Sequence, residues 1–198
     1  MSQIIGITGG IASGKSMVVE LIGQAGYQVI DADEVVHDLQ QKGGKLYEAL
    51  LEAFGYGILN VNGELERAKL SEMIFSKPEN LEKSSRVQNV IIRQELVALR
   101  DQMAGQEEVF FMDIPLLMEL DYLDWFDAVW LVYVDHKTQL KRLMARNHLS
   151  EEEARQRINS QWSLDDKKPY ADLIIDNNGS KADLENQVKL ALRNLAKE

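Results

Sequence analysis

The 198-residue sequence contains no cysteine and only three prolines. The absence of cysteine excludes disulfide bonds, thiolate nucleophiles and cysteine-ligated zinc, and nothing indicates an oxidising compartment. No apolar run is long enough to span a bilayer, and the start, Met1-Ser2-Gln3-Ile4, lacks the basic segment of a signal peptide. We therefore predict a cytoplasmic protein that does not contact a membrane.

Basic residues are also in the minority, with 22 Lys and Arg against 32 Asp and Glu, for a formal net charge of -10. A general nucleic-acid binder needs a positive face, so this balance argues against that class. A few Lys and Arg focused in one cleft can still attract a polyanionic small ligand. Nothing in the sequence indicates an obligate protein partner, and the length suits one domain over residues 1–198.

Short, nearly continuous apolar runs alternate with helical patterns along the chain. The predicted strands are residues 3–8, 27–30, 109–112, 128–134 and 173–175. Such strands are typical of a parallel sheet covered by helices on both faces, as in α/β proteins. The last helical pattern, over residues 180–197, is amphipathic and begins with Ser-x-x-Asp.

Two connections between predicted strands are much longer than one crossover helix requires. Residues 34–107 carry several helical patterns, at 35–41, 46–54, 67–75 and 79–103, and predict a helical insertion. Residues 137–170 carry two helical patterns, one of them unusually basic, and predict a lid. Both connections leave the carboxyl ends of strands, where ligands bind in open α/β sheets.

A glycine-rich segment separates the first predicted strand from the first predicted helix. Its residues 9–16 match the phosphate-binding pattern G-x-x-x-x-G-K-[ST] in full. The glycines allow successive N–H groups to turn inward as an anion nest, and the helix N-terminus adds a positive field. The alternative is a glycine turn that merely joins strand to helix. The residues predicted to bind ATP here are Gly9, Gly10, Ile11, Ala12, Ser13, Gly14, Lys15, Ser16 and Met17.

Three side chains at this edge of the sheet have predicted tasks. We expect Lys15 to reach the β- and γ-phosphates as a catalytic residue, and the Ser16 hydroxyl to bind Mg²⁺. Asp113 ends an apolar strand and is expected in the shell of the same metal. The alternative for Asp113 is an acid that only caps a loop.

Asp31 and Asp33 follow the second predicted strand. In an extended segment alternate side chains point the same way, so both carboxylates are expected beside the phosphate-binding turn. Asp33 is the candidate to orient and deprotonate the attacking hydroxyl. Spacing alone supports equally well that Asp33 caps the helix from Glu34 onward. Asp31 is expected to be a structural or metal-shell partner.

The phosphate motif predicts a three-layer P-loop nucleotide-binding fold with a five-stranded parallel sheet, but leaves the fate of the phosphate open. A regulatory GTPase would carry Asp-x-x-Gly and Asn-Lys-x-Asp, whereas residues 113–116 and 176–179 are Asp-Ile-Pro-Leu and Asp-Asn-Asn-Gly. A mechanical ATPase normally has a longer chain. Two insertions beside a compact core favour a kinase, which holds an acceptor and excludes water.

Arg142 and Arg146 lie four residues apart in the basic helical pattern and share one face. In a kinase lid, such arginines spread the negative charge of the transferred phosphoryl group, so both are predicted catalytic residues. The alternative is a solvated basic face paired with Glu151, Glu152 and Glu153 across the turn.

Together these segments make the sequence resemble the dephospho-CoA kinase family along nearly its whole length. The matching segments are Ile7-Thr8-Gly9-Gly10-Ile11, Val29-Ile30-Asp31-Ala32-Asp33, Phe54-Gly55, Asn62-Gly63-Glu64-Leu65-Glu66-Arg67, Asp113-Ile114-Pro115-Leu116-Leu117-Met118-Glu119, Gln139, Arg142, Arg146, Gln161, Ala171-Asp172 and Ile175-Asp176-Asn177-Asn178-Gly179. The chain departs from the family pattern at Met118, where Phe is usual, and at Asn89-Val90, where the family usually has His-Pro.

The resemblance implies transfer of the γ-phosphate of ATP to the ribose 3′-hydroxyl of dephospho-CoA, with Mg²⁺. It implies that residues 34–107 bind the CoA-like acceptor and residues 137–170 form the lid. It also places Asn177 and Gly179 near the adenine of ATP. The residues it places near the acceptor are Asp33, Arg67, Leu116 and Leu117. Two alternatives remain: a P-loop kinase for another nucleoside or nucleotide, and a non-catalytic nucleotide-dependent binder.

Overall fold

The computed structural model describes residues 2–195 and contains one five-stranded sheet. Its strands are β1 (Gln3–Gly9), β2 (Gln28–Asp31), β3 (Val109–Asp113), β4 (Ala128–Tyr133) and β5 (Leu173–Asp176). Their order across the sheet is β2-β3-β1-β4-β5. β1 runs parallel to both β3 and β4, and β4 runs parallel to β5. The predicted α/β fold with a five-stranded parallel sheet is confirmed.

The helices alternate with these strands as the sequence pattern predicts. They are α1 (Lys15–Gln24), α2 (Ala32–Leu39), α3 (Lys45–Phe54), α4 (Arg67–Phe75), α5 (Pro78–Ala104), α6 (His136–Asn147), α7 (Glu151–Asn159), α8 (Leu164–Lys167) and α9 (Lys181–Leu195). Within residues 2–195, no helix combines the length and the apolar character needed to cross a bilayer.

The chain divides into two compact units. Residues 31–102 form one, and the described residues on either side of that segment form the other. The second unit contains the centre of the sheet, where the last five residues of β1 are buried. Ile5 and Ile7 of this strand pack with Val18 and Ile22 of α1 and with Val188 of α9. Burial of both faces explains why β1 is largely apolar and lacks the polar alternation of a half-exposed strand.

The unit of residues 31–102 has its own small core. Leu39, Leu46, Leu50, Ile58 and Leu70, from α2, α3, α4 and a short 3-10 turn, pack together there. Leu46 and Leu50 lie four residues apart on one face of α3. The helical insertion predicted for residues 34–107 overlaps this unit. The unit begins three residues before the predicted start and ends five residues before the predicted end.

Two predicted helical regions differ in detail from the structure. The region 137–170 holds three helices and a 3-10 turn instead of two helices, because α8 is a single turn that is too short to show periodicity. At the end of the chain, Ser180 and Asp183 exchange hydrogen bonds that cap α9, as the Ser-x-x-Asp pattern predicts. Residues 196 and 197 of that predicted helix lie outside the described residues.

Candidate active site

The phosphate-binding turn runs from the end of β1 to the start of α1. Gly14 precedes α1 with a φ of 89°, a left-handed conformation that glycine adopts without strain. A Cβ atom on Gly14 would lie 2.1 Å from Nδ2 of Asn177, so the position also has no room for a side chain. The glycine is therefore required by backbone angle and by a close neighbour at the same time.

The N–H groups of this turn divide into two sets. Ile11 N–H donates to Oε1 of Gln161 at 3.0 Å, and Ser13 N–H donates to the carbonyl of Gly10 at 3.1 Å. Among the residues that the structure describes, no acceptor is bonded to the N–H groups of Ala12, Gly14, Lys15 and Ser16. Four unpaired donors at the N-terminus of a helix form a site suited to a phosphate group.

Lys15 and Asp113, predicted to share the phosphate edge, are brought together as an ion pair. Asp113 is the last residue of β3 and is aligned with Ile7 of β1, so the end of one strand faces the turn that follows the other. The Asp113 side chain is 5% exposed and the Lys15 side chain 17% exposed. A Lys and an Asp shielded from water in this way interact more strongly than a surface pair does.

The predicted metal ligands are the Ser16 hydroxyl, which is exposed, and the Asp113 carboxylate. Both are oxygen donors, the type that Mg²⁺ prefers, and Mg²⁺ commonly takes only one or two ligands from the protein. Within residues 2–195, no group of three or more His, Cys, Asp or Glu side chains forms a metal cluster. The donor set fits Mg²⁺ shared with a nucleotide and does not form a separate protein cage.

Asp31 caps α2, and Asp33 does not. Oδ1 of Asp31 accepts hydrogen bonds from the N–H groups of Asp33 at 2.8 Å and Glu34 at 3.1 Å. The alternative that Asp33 is the cap is therefore wrong, and Asp31 has the structural role expected of it. The expectation of an extended Asp31–Asp33 segment is also wrong, because α2 begins at Ala32. Asp33 is an exposed residue of the first helical turn.

Both predicted lid arginines lie on α6, but they contact different groups. Nη2 of Arg142 donates to the carbonyl oxygen of Asn177 at 2.9 Å, whereas Nε of the exposed Arg146 donates to Oδ1 of Asn147 at 2.9 Å. The predicted alternative of a basic face paired with glutamates is not observed in residues 2–195. Glu151 pairs with Arg155, and Glu153 is bonded to Ser150 at the start of α7.

Asn177 is a junction between β5 and the phosphate-binding turn. Its Nδ2 donates to the carbonyl of Ser13 at 2.8 Å, and its own N–H donates to the carbonyl of Tyr133 at 2.8 Å. Asn177 is only 8% exposed, while Gly179, two residues later, is exposed. The structure thus assigns the Asn177 side chain to the turn itself, and its predicted place near adenine stays a prediction.

The predicted acceptor residues lie in different environments. Leu117 is fully buried, and a Cβ on Gly6 of β1 would lie 2.7 Å from it. The expectation that the Leu117 side chain contacts the acceptor is therefore not supported, since this side chain fills the core below β1. Its neighbour Leu116 is half-buried.

Arg67, the first residue of α4, is exposed on a cavity of about 560 Å³ inside the unit of residues 31–102. His37 and Lys42 line the same cavity, so three residues that can carry positive charge share it with one carboxylate, that of Glu64. Leu65 and Ile74 supply apolar surface. A cavity of this size that is partly basic and partly apolar suits a drug-sized ligand with an anionic part.

A buried lysine near the phosphate-binding turn was not anticipated. The Lys167 side chain is 0% exposed, and its Nζ lies 2.9 Å from Oε1 of Glu119 and 3.5 Å from the carbonyl of Gly9. The same Glu119 oxygen accepts the N–H of Trp162 at 3.1 Å. Lys167-Lys168-Pro169 has the composition of an exposed turn, so no signal in the sequence distinguishes Lys167 from its neighbour.

Two carboxylates in the segment from α6 to α8, Asp135 and Asp165, have shifted pKa values. The N–H and hydroxyl of Thr138 donate to Asp135 at the start of α6 and hold the pKa of that carboxyl below its usual value. Lys168 lowers the pKa of Asp165 through a hydrogen bond to its carboxylate. Both groups are on the surface, and hydrogen bonding to the charged form is the dominant cause of both shifts.

Comparisons with known proteins agree with this geometry. A family model described as dephospho-CoA kinase matches residues 3–183. Proteins named dephospho-CoA kinase from Streptococcus pyogenes serotype M3 and Streptococcus agalactiae serotype Ia are 66% and 59% identical, over 98% of this chain and 98% and 100% of theirs.

Solved structures show the same relationship. The protein TT1252 from Thermus thermophilus has a TM-score of 0.81 at 32% identity, over 98% of both chains. A dephospho-CoA kinase from Campylobacter jejuni has a TM-score of 0.78 at 27% identity, over 100% of this chain and 98% of that one. The phosphate-binding turn, the sheet order and these matches agree, and the chain belongs to the dephospho-CoA kinase family.

Proposed function

We propose that this chain transfers the γ-phosphate of ATP to the ribose 3′-hydroxyl of dephospho-CoA, giving CoA and ADP. The observation that carries the proposal is the turn between β1 and α1. It presents four N–H groups, on Ala12, Gly14, Lys15 and Ser16, that have no partner among residues 2–195, next to the Lys15 ammonium. Phosphoryl transfer depends almost entirely on positioning and on charge stabilisation, and this turn supplies both.

Lys15 changes its partner in the proposed reaction. Its ammonium is paired with Asp113 in the structure. Triphosphate oxygens carry more negative charge than one carboxylate, so bound ATP competes for the ammonium. Lys15 then neutralises charge on the β- and γ-phosphates, where negative charge develops as the phosphoryl group leaves.

Mg²⁺ is part of the proposal, held by the Ser16 hydroxyl and the Asp113 carboxylate together with the phosphates. When bound, the ion would supply positive charge that offsets the negative charge of the phosphates. Lys15 then contacts ATP instead of Asp113. In this proposal, the Lys15–Asp113 ion pair of the structure is the state of the enzyme before ATP binds.

Asp33 is the proposed residue that orients and deprotonates the attacking hydroxyl. Two observations support this role. Asp31 performs the capping of α2, so the Asp33 carboxylate is not needed for the helix, and Asp33 is exposed. An accessible carboxylate can accept a proton from a hydroxyl that is placed beside it.

The unit of residues 31–102 is the proposed acceptor-binding region, and residues 137–170 are the proposed lid. Dephospho-CoA combines a diphosphate with a long, partly apolar arm, and the cavity at Arg67 and Lys42 offers basic and apolar surface together. On α6, Arg146 is exposed and is the proposed lid arginine that spreads transition-state charge. Arg142 supports catalysis by holding the loop at Asn177.

The proposed reaction is cytoplasmic and involves small molecules alone. With a net charge of -10, the chain has no general attraction for nucleic acid. Adenine is proposed to lie at the loop after β5, where Gly179 is exposed.

The test is ADP release from ATP and Mg²⁺ with and without dephospho-CoA. We expect release that depends on dephospho-CoA, and a product phosphorylated on the ribose. Lys15→Ala is expected to lower turnover at least about 10³-fold, because it removes a charge that contacts the transferred group. Phosphorylation of AMP or a nucleoside, but not of dephospho-CoA, would assign a different acceptor.

A further inference from the structure

Two glutamine side chains hold the tip of the phosphate-binding turn. Nε2 of Gln139, on α6, donates to the carbonyl oxygen of Ile11 at 2.9 Å. Oε1 of Gln161, which follows α7, accepts the N–H of the same residue at 3.0 Å. Both polar groups of one residue of the turn are thus bonded to side chains that lie more than a hundred residues later in the chain.

The two amides have opposite tasks. A peptide carbonyl can only accept a hydrogen bond and a peptide N–H can only donate one. Gln139 must therefore present its NH₂ group and Gln161 its oxygen. This polarity is fixed by Ile11 and does not depend on how an isolated amide would orient itself.

The Gln139 contact is close and shielded. Gln139 is 5% exposed, and a Cβ atom on Gly10 would lie 2.7 Å from its Nε2. Ile11 also packs with Leu143 of α6 and Ala154 of α7. The tip of the turn is held by apolar packing and by directional bonds at once.

An anion nest needs N–H groups that point inward and carbonyl groups that point outward. An outward carbonyl that is buried loses free energy unless a donor meets it. Gln139 supplies such a donor to the Ile11 carbonyl, and Nδ2 of Asn177 supplies another to the Ser13 carbonyl. Gln161 draws the Ile11 N–H away from the unpaired set.

We propose that Gln139 and Gln161 form an amide clamp that sets the conformation of the phosphate-binding turn. They are positioning residues, since their bonds end at Ile11. The clamp keeps the turn in the conformation in which its N–H groups point inward, before ATP binds. Without it, only a fraction of molecules has a competent turn, and the apparent affinity for ATP falls by that fraction.

The proposal rests on the proposed use of ATP, and ATP binding is therefore measured directly as well as in turnover. The first variants are Gln139→Met and Gln161→Met, which keep side-chain length and remove the hydrogen bond. We expect the dissociation constant and the KM of ATP to rise about tenfold in Gln139→Met, as loss of a buried hydrogen-bond partner predicts. The kcat at saturating ATP is expected to stay within about threefold, because no group that contacts the phosphates changes.

The decisive comparison is Gln139→Glu with Gln161→Glu. Both variants place one carboxylate against the same residue, so both add a negative charge near the triphosphate. At position 161 a carboxylate still accepts the Ile11 N–H, whereas at position 139 it faces a carbonyl and repels it. We expect ATP to bind at least about fivefold more tightly to Gln161→Glu than to Gln139→Glu.

Several outcomes would overturn the clamp. One is equal ATP affinity of the two glutamate variants; another is a Gln139→Met variant that binds ATP as well as the unaltered chain does. A lower unfolding temperature with unchanged ATP affinity would show a structural role only. If Gln139→Met does not fold, Gln161→Met and Gln161→Glu, which change a half-buried side chain, still decide, because they must differ in ATP affinity. Failure of the unaltered chain to bind ATP would refute the proposed function instead.

Discussion

Asp31 and Asp33 are identical side chains two positions apart, and they have different environments. Asp31 ends β2 and accepts two N–H groups at the start of α2. Asp33 is the second residue of the helix and is exposed. The difference arises because the chain changes from extended to helical at Ala32, which separates the directions of the two carboxylates.

Variants of these two aspartates are expected to affect different properties, turnover for Asp33 and stability for Asp31. Asp33→Asn is expected to remove most turnover, at least about 10²-fold as for loss of a general base, with an unchanged unfolding temperature. Asp31→Ala is expected to lower the free energy of unfolding by about 0.5–2 kcal/mol through loss of the cap. Steady-state kinetics and thermal unfolding of both variants measure this. Near-normal kcat in Asp33→Asn would show that the base is elsewhere.

Lys167 provides a second residue-scale prediction, with Lys168 as its matched neighbour. Lys167→Met leaves the Glu119 carboxylate buried without its ion-pair partner, so we expect a loss of about 3–5 kcal/mol in the free energy of unfolding. Lys168 is paired with Asp165 at the surface and lies over the Tyr133 ring. Lys168→Met is therefore expected to destabilise the protein much less than Lys167→Met.

Denaturant titration of both lysine variants tests the difference. Equal losses would mean that burial of the Lys167 ammonium has no energetic consequence. Glu119→Gln is the companion variant, because it keeps the shape and an acceptor for Trp162 while removing the negative charge. Its loss is expected to fall between those of the two lysine variants.

At the scale of elements, carboxylates organise several helix starts. Asp135 caps α6, Glu153 completes a capping box on α7, and Asp183 bonds Ser180 before α9. Hydrogen bonds from Thr138 and Ser150 are the main reason that the pKa values of Asp135 and Glu153 are lowered, and Ser180 does the same for Asp183. The hydrogen bonds at these helix starts therefore stabilise the ionised form of the three carboxyls relative to the protonated form.

The sign of the pH dependence follows from those lowered pKa values. A carboxyl with a lower pKa in the folded state stabilises that state above its unfolded pKa, near 4, and loses this contribution as pH falls through the folded value. We expect the unfolding temperature to decrease more between pH 7 and pH 3 in the unaltered chain than in Asp135→Asn/Glu153→Gln/Asp183→Asn.

Thermal unfolding at the two pH values measures this effect. Glu152→Gln is the control, because Glu152 lies in the same first turn of α7 without a capping bond in the described structure. It should retain the full pH dependence. An identical decrease in the triple variant and the unaltered chain would exclude the caps as a cause.

At the scale of the whole molecule, the sheet order brings together segments that are distant in sequence. β1 lies between β3 and β4, so the turn after β1 meets Asp113 at the end of one neighbour. β5 lies beyond β4, and its following residue Asn177 returns to the same turn. Parallel strands make this convergence possible because all their carboxyl ends lie at one edge.

Much of this architecture was predictable from local patterns. The limits of α4 were predicted without error, and each strand was predicted to within one or two residues, because buried parallel strands are short apolar runs. The phosphate-binding turn was predictable because its chemistry depends on glycines at fixed spacing. The start of α2 was not, because the capping role of Asp31 and that of Asp33 give the same spacing pattern.

Local sequence determined the strands, the main helices and the phosphate-binding turn of this protein, since backbone preference and hydrophobic period act over a few residues. Tertiary structure alone decided that Lys167 is fully buried and Lys168 only half-buried, that Arg142 holds Asn177, and that two glutamines bond one residue of the turn. The physical reason is that burial and hydrogen-bond direction depend on neighbours from distant segments, and no local pattern records which segments will meet.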